Sequence, residues 1–275
     1  KVTVFGSPAN HGSCKFAFAS ENVIVLQAVD LTSPRLEGIR SYQNRPFHLF
    51  AINISNPEKI EFKPLLEDKT KIYLNPKAYE LKKEDGSSEF SRIYIERFVD
   101  DFGGHNGPSH IASFKLNLQD LTATEYKEST ELFQVVKVPY RPFIDENTVC
   151  LTVANRLTID PIKVNLDTFE VKKVIECQKF SVFIDDYRQG QFLIRTSSLT
   201  ETGRYGVLSN DEIEYLTSST KFDELQTSTI ENENYNDALL IIAPGEQKKF
   251  IISPHGGPHG NYSNSFVREY IFFAL

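Results

Sequence analysis

The stretch at residues 250–260 has the residue types and spacing best suited to chemistry. It reads Phe-Ile-Ile-Ser-Pro-His-Gly-Gly-Pro-His-Gly, an apolar run that ends in a loop rich in glycine, proline and histidine. Two adjacent glycines, Gly256 and Gly257, let the backbone turn sharply and bring its amides close to a ligand. Amides held in this way stabilise the oxyanion that develops in acyl transfer, and the loss of one donor lowers the rate by about 10²–10³-fold. The alternative for the same residues is a glycine-rich turn beside a buried histidine.

The histidines lack the spacing of a metal site. His105 and His110 flank a turn-rich segment, and a zinc site would need further ligands at suitable spacing. His255 and His259 have no glutamate in a His-Glu-x-x-His arrangement. We therefore predict neither a metal nor a cofactor, and we expect His105 and His110 to lie in a solvated loop.

The cysteines differ in their neighbours. Cys150 and Cys177 lack clustered basic or histidine neighbours, which predicts unreactive thiols. Cys14 has His11 and Lys15 close by, and such neighbours lower the pKa of a thiol. Three widely spaced cysteines, an odd number, favour free thiols in a reducing compartment over a disulfide framework.

Acidic clusters and glycosylation sequons complete the candidates. We interpret the acidic clusters at 100–101, 185–186 and 231–233 as solvated turns, because paired carboxylates specify no chemistry without a cleft. Asn53 and Asn261 begin sequons. We interpret both as chance matches, since the first residues do not read as a signal peptide.

Short β-branched or aromatic runs separated by turn residues make up most of the chain before residue 210. Several alternate with the period of a half-buried strand. Ten runs are predicted to be strands: Val23–Val29, Phe47–Ile54, Ile93–Phe98, Ile111–Leu118, Phe133–Val138, Thr148–Val153, Ile162–Leu166, Phe180–Ile184, Gln191–Arg195 and Tyr205–Leu208. Helical spacing is confined to short pieces at 64–68 and 75–82. The pattern predicts a large antiparallel β region.

A hairpin unit recurs at intervals of roughly 50–65 residues. In each copy an apolar strand is followed by a polar turn and a charged strand, at 47–62, 113–129 and 161–174. Such recurrence is typical of propeller blades, whose outer strands form hairpins. A β-sandwich or a pair of sheets is the alternative.

The pattern changes after residue 225. Residues 227–236 are polar and acidic, and apolar runs at 238–243 and 249–253 follow. These runs alternate less, which predicts strands buried on both faces. Helical spacing over 265–275, with Asn264 or Ser265 as a cap, completes a strand–loop–helix order that is typical of α/β folds.

The full string His-Gly-Gly-Pro-His-Gly after Ile-Ile-Ser-Pro resembles the prolyl oligopeptidase superfamily of serine peptidases, and within it the acylaminoacyl-peptidases. Looser resemblances lie upstream, in the segment that begins Gly38-Ile-Arg-Ser-Tyr, in Ser113-Phe-Lys-Leu, in the hairpin Ile162–Val174 and in Gly206-Val-Leu. Taken in order, these segments extend the resemblance over most of residues 38–275.

The resemblance implies a mainly β chain, with a partial β-propeller followed by the first strands and helix of an α/β-hydrolase domain. It places incomplete propeller blades at 1–225 and a truncated hydrolase domain at 226–275. It implies Gly257 as the oxyanion-hole donor with Gly256 beside it, while His255, Pro258 and His259 support the loop. The implied activity is the release of N-acylated amino acids from short peptides by a Ser-His-Asp triad.

The sequence departs from this pattern because it contains no Gly-x-Ser-x-Gly nucleophile motif. Only 16 residues (275 − 259) follow His259, so we expect the triad beyond Leu275 and expect this chain to be inactive by itself. Only 37 residues precede Gly38, so we expect an incomplete ring whose open sheet edges favour pairing with the remaining blades, the hydrolase domain or a second copy. The absence of Met and Trp from 275 residues also favours a piece of a longer chain.

Composition sets the remaining expectations. The net charge of −7 argues against nucleic acid and anionic membrane as partners, and no run reaches the roughly 18 apolar residues of a membrane helix. We expect a cytoplasmic protein. Two alternatives to the peptidase stay open: a non-catalytic β-propeller that binds other proteins, and a sandwich-type binding protein unrelated to this family.

Overall fold

The computed structural model of the chain describes residues 11–30, 47–56, 58–66, 68, 71–98, 107–176, 180–230, 238–245, 251–253 and 263–274. Within these ranges the chain is mainly β, as predicted, with nineteen strands and one short helix. Four antiparallel sheets, here named A to D, follow one another along the chain, and a two-stranded sheet and the helix come after them.

Sheets A and B each contain four strands paired in chain order. Those of sheet A are β1 (His11–Phe18), β2 (Val23–Asp30), β3 (Phe47–Asn53) and β4 (Phe62–Leu65). Those of sheet B are β5 (Ile72–Lys82), β6 (Ser88–Phe98), β7 (Ser109–Asn117) and β8 (Ala123–Glu128). Each sheet is therefore an up-and-down meander.

Sheets C and D continue this pattern. Sheet C contains β9 (Val135–Lys137), β10 (Phe143–Asp145), β11 (Thr148–Asn155), β12 (Thr158–Asn165) and β13 (Val171–Lys173), with β9 paired to β11 beside the path β10-β11-β12-β13. Sheet D contains β14 (Ser181–Arg188), β15 (Gln191–Ser198), β16 (Glu201–Ser209) and β17 (Glu212–Tyr215), again in chain order.

The chain divides into two compact units. The first comprises Lys1–Phe133, Asp145–Val149 and Asn165–Glu170, and the second comprises Gln134–Ile144, Cys150–Val164 and Val171–Leu275. These units do not test the predicted boundary at residue 225, which separates propeller blades from a hydrolase domain and stays a prediction.

Each unit has an apolar core built from the inward side of its strands. In the first unit, alternating residues of sheets A and B pack together, and the fully buried members include Val25, Leu49, Ile93 and Phe114. In the second unit the buried cluster comprises Cys150, Val174, Val182, Ile184, Phe192, Ile194 and Leu208. The alternation read from the sequence therefore sets which side chains enter each core.

Nine of the ten predicted strands are confirmed, and the tenth, predicted at 133–138, is shortened to β9. Three hairpins occur, but the second strand of the first lies at Phe62–Leu65, beyond the predicted end of that unit at residue 62. The hairpins are the last two strands of sheets A, B and C, where β4 pairs with β3, β8 with β7 and β13 with β12. In the plainest of them, Ile162 lies opposite Lys173 across the turn that holds Asp167.

The two predicted helical pieces are wrong, because β4 covers 62–65 and β5 covers 72–82. Asn75 has a left-handed backbone with φ of 53°, and the register of β5 against β6 shifts between Leu74 and Lys77. Leu74 lies opposite Glu96 and Ala78 lies opposite Ile93, so the bulge leaves apolar side chains on both faces of β5. The interrupted alternation of this strand is what resembled helical spacing in the sequence.

The same irregularity recurs in the first strand of three sheets. The register of β1 shifts between Ser13 and Lys15, and that of β14 shifts between Ile184 and Asp186. Bulges of this kind twist a strand locally and change the direction of a side chain.

The C-terminal part of the chain, residues 226–274, is organised differently. β18 (Gln226–Ile230) and β19 (Ala238–Ile242) form an antiparallel two-stranded sheet, and α1 (Arg268–Ala274) packs against β19. The predicted burial of the two apolar runs on both faces is wrong. β19 is only partly buried, and Ile251 and Ile252, 69% and 77% exposed, lie outside any strand. A sheet of two strands has too few neighbours to cover both of its faces.

Candidate functional site

The loop predicted to bind an oxyanion lies outside the described residues. His255, Gly256, Gly257, Pro258 and His259 all fall within 254–262. Their predicted roles stay predictions. The structure describes the chain on either side of this loop, at 251–253 and at 263–274.

Asn264 connects the chain after this loop to sheets C and D through three hydrogen bonds. Its backbone N–H donates to the carbonyl oxygen of Leu157 (2.6 Å), and its own carbonyl oxygen accepts from the N–H of Ser181 (3.2 Å). Its side-chain Oδ1 accepts from the backbone N–H of Leu199 (3.0 Å). All three partner residues are buried. Asn264 therefore satisfies two buried amides and one carbonyl that folding removes from water.

Phe266 reinforces this attachment. Its backbone N–H donates to Oγ of the buried Ser197 (2.8 Å), and its ring stacks on Phe222 with the centroids 6.0 Å apart. We call Asn264, Phe266 and these five partners the 264–266 anchor. The anchor lies within the second compact unit.

The predicted helix is confirmed from Arg268 to Ala274, but neither predicted cap begins it. The side chain of Asn264 bonds to Leu199, and the hydroxyl of Ser265 shares a hydrogen bond with that of Ser263 (3.0 Å). The helix starts at Arg268 because the residues before it are engaged in the anchor and in this local bond.

The structure describes the side chains of two of the cysteines and histidines considered in the sequence, Cys150 and His110. Burial raises the pKa of the Cys150 thiol to about 12, so this residue carries no thiolate at neutral pH. The predicted solvated loop at His110 is wrong, because this residue lies in strand β7. Its Nδ1 makes a 2.7 Å hydrogen bond to the carbonyl oxygen of Ser129. Cys177 and His105 are outside the described residues, as is the side chain of Cys14.

The acidic pair Asp185-Asp186 is not a solvated turn. Both residues lie at the bulge of β14, and each forms an ion pair, Asp185 with Lys137 and Asp186 with Arg141. The Arg141 guanidinium, whose Nε lies 3.0 Å from Oδ1, lowers the pKa of Asp186. The acidic clusters at 100–101 and 231–233 fall outside the described residues.

The predicted sequon residue Asn53 caps a local turn, because its Oδ1 accepts from the N–H of Ser55 (2.9 Å). Asn261, the other sequon residue, is outside the described residues. In the part of the chain that the structure describes, no group of three or more His, Cys, Asp or Glu side chains is placed to hold a metal ion.

A buried polar stripe on β6 was missed in the sequence. Arg92, Tyr94 and Glu96 alternate with isoleucines, so the three share one face of the strand, and each is at most 3% exposed. Arg92 donates to the carboxylate of Asp167 (2.8 Å) and to the carbonyl oxygen of Leu166 (3.2 Å). The sequence did contain a signal for this stripe. Arg92, Tyr94 and Glu96 occupy every second position of this stretch of the strand, and the two positions between them are isoleucines, so three polar side chains share one face.

Glu96 is the carboxyl group of this stripe, and its pKa is strongly shifted. Its Oε1 accepts from Nδ2 of Asn75 (2.6 Å), and Asn75 also bonds to Gln27 and Lys15 of sheet A. Desolvation raises the pKa of Glu96 to about 7. The bulge of β5 therefore places a neutral-range carboxyl group at the junction of sheets A and B.

No protein-family model and no curated protein matches the sequence. Solved structures match the fold. A prolyl endopeptidase superposes with a TM-score of 0.56 at 11% identity, covering 98% of this chain and 38% of that chain. Prolyl oligopeptidase B from Galerina marginata, in its apo form, gives 0.50 at 10% identity, covering 87% of this chain and 32% of that chain. The acylaminoacyl peptidase of Pyrococcus horikoshii gives 0.46 at 12% identity, covering 96% of this chain and 49% of that chain.

This chain therefore spans between about a third and about a half of the length of these proteins. The prolyl endopeptidase and Galerina superpositions show that its fold is similar to part of a prolyl oligopeptidase. Within the described residues, no helix is both long and apolar enough to cross a membrane.

Proposed function

We propose that the chain is part of a serine peptidase of the prolyl oligopeptidase superfamily that releases N-acylated amino acids from short peptides. The fold similarity over 98% of the chain carries the proposal. Because it spans nearly the whole sequence, it takes in the four sheets together with the C-terminal part, rather than a single sheet common to many folds. The His-Gly-Gly-Pro-His-Gly string adds the oxyanion chemistry.

In this proposal sheets A to D are blades of an incomplete β-propeller. Three features support it: the meander order of sheets A, B and D, the repeated outer hairpin, and the bulged first strand in the same three sheets. The partners are then the remaining blades and the hydrolase domain, and the propeller excludes large folded substrates.

The segment from β19 to α1 is, in this proposal, the start of the α/β-hydrolase domain. A strand, the glycine-rich loop and a helix follow one another in the order that this fold requires. Gly257 supplies an oxyanion-hole amide with Gly256 beside it, and His255, Pro258 and His259 hold the loop. The triad comes from residues beyond Leu275, no metal or cofactor takes part, and the enzyme acts in the cytoplasm.

Labelling of the full-length natural gene product with a fluorophosphonate tests the proposal. The probe is expected to attach covalently to one serine outside residues 1–275, and an excess of a short N-acetylated peptide is expected to slow the labelling. A full-length product that stays unlabelled would instead identify a non-catalytic propeller that binds other proteins.

Two substitutions at one position test the oxyanion role. Gly257→Pro removes the backbone N–H and is expected to lower the acylation rate by about 10²–10³-fold. Gly257→Ala keeps the N–H and serves as the matched control, with a smaller loss. Equal rates for Gly257→Pro and the wild-type enzyme would remove Gly257 from the site.

A further inference from the structure

We infer that Asn264 is a positioning residue, which fixes the chain after the His-Gly-Gly loop on sheets C and D and thereby sets the rate of acyl transfer. The inference rests on the proposed function for its effect on the reaction. The hydrogen bonds of the 264–266 anchor carry its structural part.

The backbone of Asn264 fixes where its side-chain acceptor lies. Its backbone is held on both sides, by Leu157 through the N–H and by Ser181 through the carbonyl oxygen. With the backbone fixed, the carbonyl group that follows Cβ reaches the N–H of Leu199. Alanine has no acceptor there, and glutamine is one methylene longer. Aspartate keeps an oxygen at the same distance from the backbone.

The partners of Asn264 come from three separate places in the β-sheets. Leu157 lies in the turn between β11 and β12, Ser181 begins β14, and Leu199 follows β15. All three are at most 8% exposed, so their backbone groups have little water to replace a lost partner. Asn264 therefore ties the C-terminal part to several elements at once, through its backbone at Leu157 and Ser181 and through its side chain at Leu199.

Much of the rest of the described C-terminal part is exposed. β18 is exposed along its whole length, and Ile251, Ile252 and Phe272 are each more than two-thirds exposed. The segment that follows the predicted oxyanion loop is thus held by directional bonds more than by a core. Misplacement of a catalytic group by about 1 Å can lower a rate by about 10²-fold.

The test compares three variants of the full-length enzyme: Asn264→Ala, Asn264→Asp and, as the matched control, Asn22→Ala in the exposed turn after β1. Hydrogen exchange at the Leu199 amide and the kinetics of N-acetyl-peptide hydrolysis are measured well below the melting temperature. Asn264→Ala is expected to accelerate exchange at Leu199 by about tenfold or more and to lower kcat by about tenfold with KM little changed. Asn264→Asp is expected to restore both values, and Asn22→Ala to change neither.

Two outcomes overturn the inference. One is unchanged exchange at Leu199 in Asn264→Ala; the other is faster exchange with kcat unchanged, which would leave Asn264 a structural contact alone. If Asn264→Ala does not fold, Ser197→Ala replaces it, since it removes only the acceptor of the Phe266 N–H and is expected to lower kcat by a smaller factor. A wild-type enzyme without hydrolase activity refutes the proposed function, while the exchange measurement still decides whether Asn264 holds the anchor.

Discussion

The four sheets and the C-terminal part bury their apolar side chains to very different extents. In the sheets, large side chains such as Phe114, Leu151 and Ile194 are fully buried. Among the described side chains of 226–274, Ile271 (4% exposed) is the one hydrophobic side chain that is buried, whereas Ile252 and Phe272 are each 77% exposed. Both regions are rich in apolar residues, so composition does not explain the difference.

The difference lies in what holds each region in place. Sheets A and B cover each other and share one core, while the described C-terminal part consists of two strands and a seven-residue helix. The 264–266 anchor attaches it to sheets C and D. Large exposed apolar side chains are typical of surfaces that bind another protein segment, which agrees with the proposal that further hydrolase strands cover this region.

The largest expected effect compares two identical substitutions in the two regions. Phe114→Ala empties a fully buried site and is expected to lower the free energy of unfolding by about 3–5 kcal/mol. In the 275-residue chain, Phe272→Ala, at a site 77% exposed, is expected to change it by less than about 0.5 kcal/mol. Urea unfolding followed by circular dichroism measures both. Similar losses for the two variants would break the comparison.

The second prediction concerns pH and the buried carboxyl group of the sheets. The pKa of Glu96 is about 7 when folded, against an ordinary value of 4.5. Between these values the folded protein keeps a proton that the unfolded chain releases. The contribution of Glu96 is therefore fully present below pH 4.5 and falls by about 3 kcal/mol as the pH rises through 7.

The Glu96→Gln variant, which cannot titrate, isolates this contribution. The difference in unfolding free energy between wild type and variant, measured by urea titration from pH 4 to 8, is expected to change by that amount. A difference that stays constant over this range would show that Glu96 is not a buried titrating group.

A third prediction compares two partners of Asp167 within the first unit. Arg92 is 2% exposed and Lys127 is 42% exposed, and both lie 2.8 Å from the same carboxylate oxygen. Asp167→Ala removes the charged hydrogen-bond partner of the buried Arg92 and is expected to cost about 2 kcal/mol. Lys127→Ala is expected to cost less than about 1 kcal/mol. The reverse order in chemical denaturation would mean that the exposed pair dominates.

The last prediction compares hydrogen exchange at the backbone amides of two strands and requires no substitution. The amides of β18, whose residues are all exposed, are expected to exchange hydrogen at least about 10²-fold faster than those of β6, whose centre is buried. Exchange followed residue by residue by NMR gives both rates in one sample. Equal protection would show that the two-stranded sheet is as stable as the sheets before it.

The sequence predicted most of the strands, because alternation is a local property and each inward residue meets a core. It failed at β5, where the bulge at Asn75 interrupts the alternation of the strand. It also failed at Ile251 and Ile252, since burial depends on neighbouring elements that an apolar run does not specify.

The candidate site shows the same difference between features that depend on consecutive residues and features that depend on the fold. The glycine-rich loop is visible in the sequence because its chemistry depends on consecutive residues. The anchor is not visible, because Asn264 and Leu199 lie 65 residues apart and only the fold brings them together. Asn264 looked like a helix cap for the same reason: the residue type suits both roles, and its partner decides which one it takes.

The most direct test of the proposed function is the identity of the products that the full-length enzyme releases from one peptide. The peptide carries an N-terminal acetyl group and an internal proline, and mass spectrometry identifies the fragments. Release of the acetylated first residue, with the remaining peptide intact, is the predicted result. Cleavage only after the internal proline, or no cleavage at all, would contradict the proposal that the enzyme removes N-acylated amino acids.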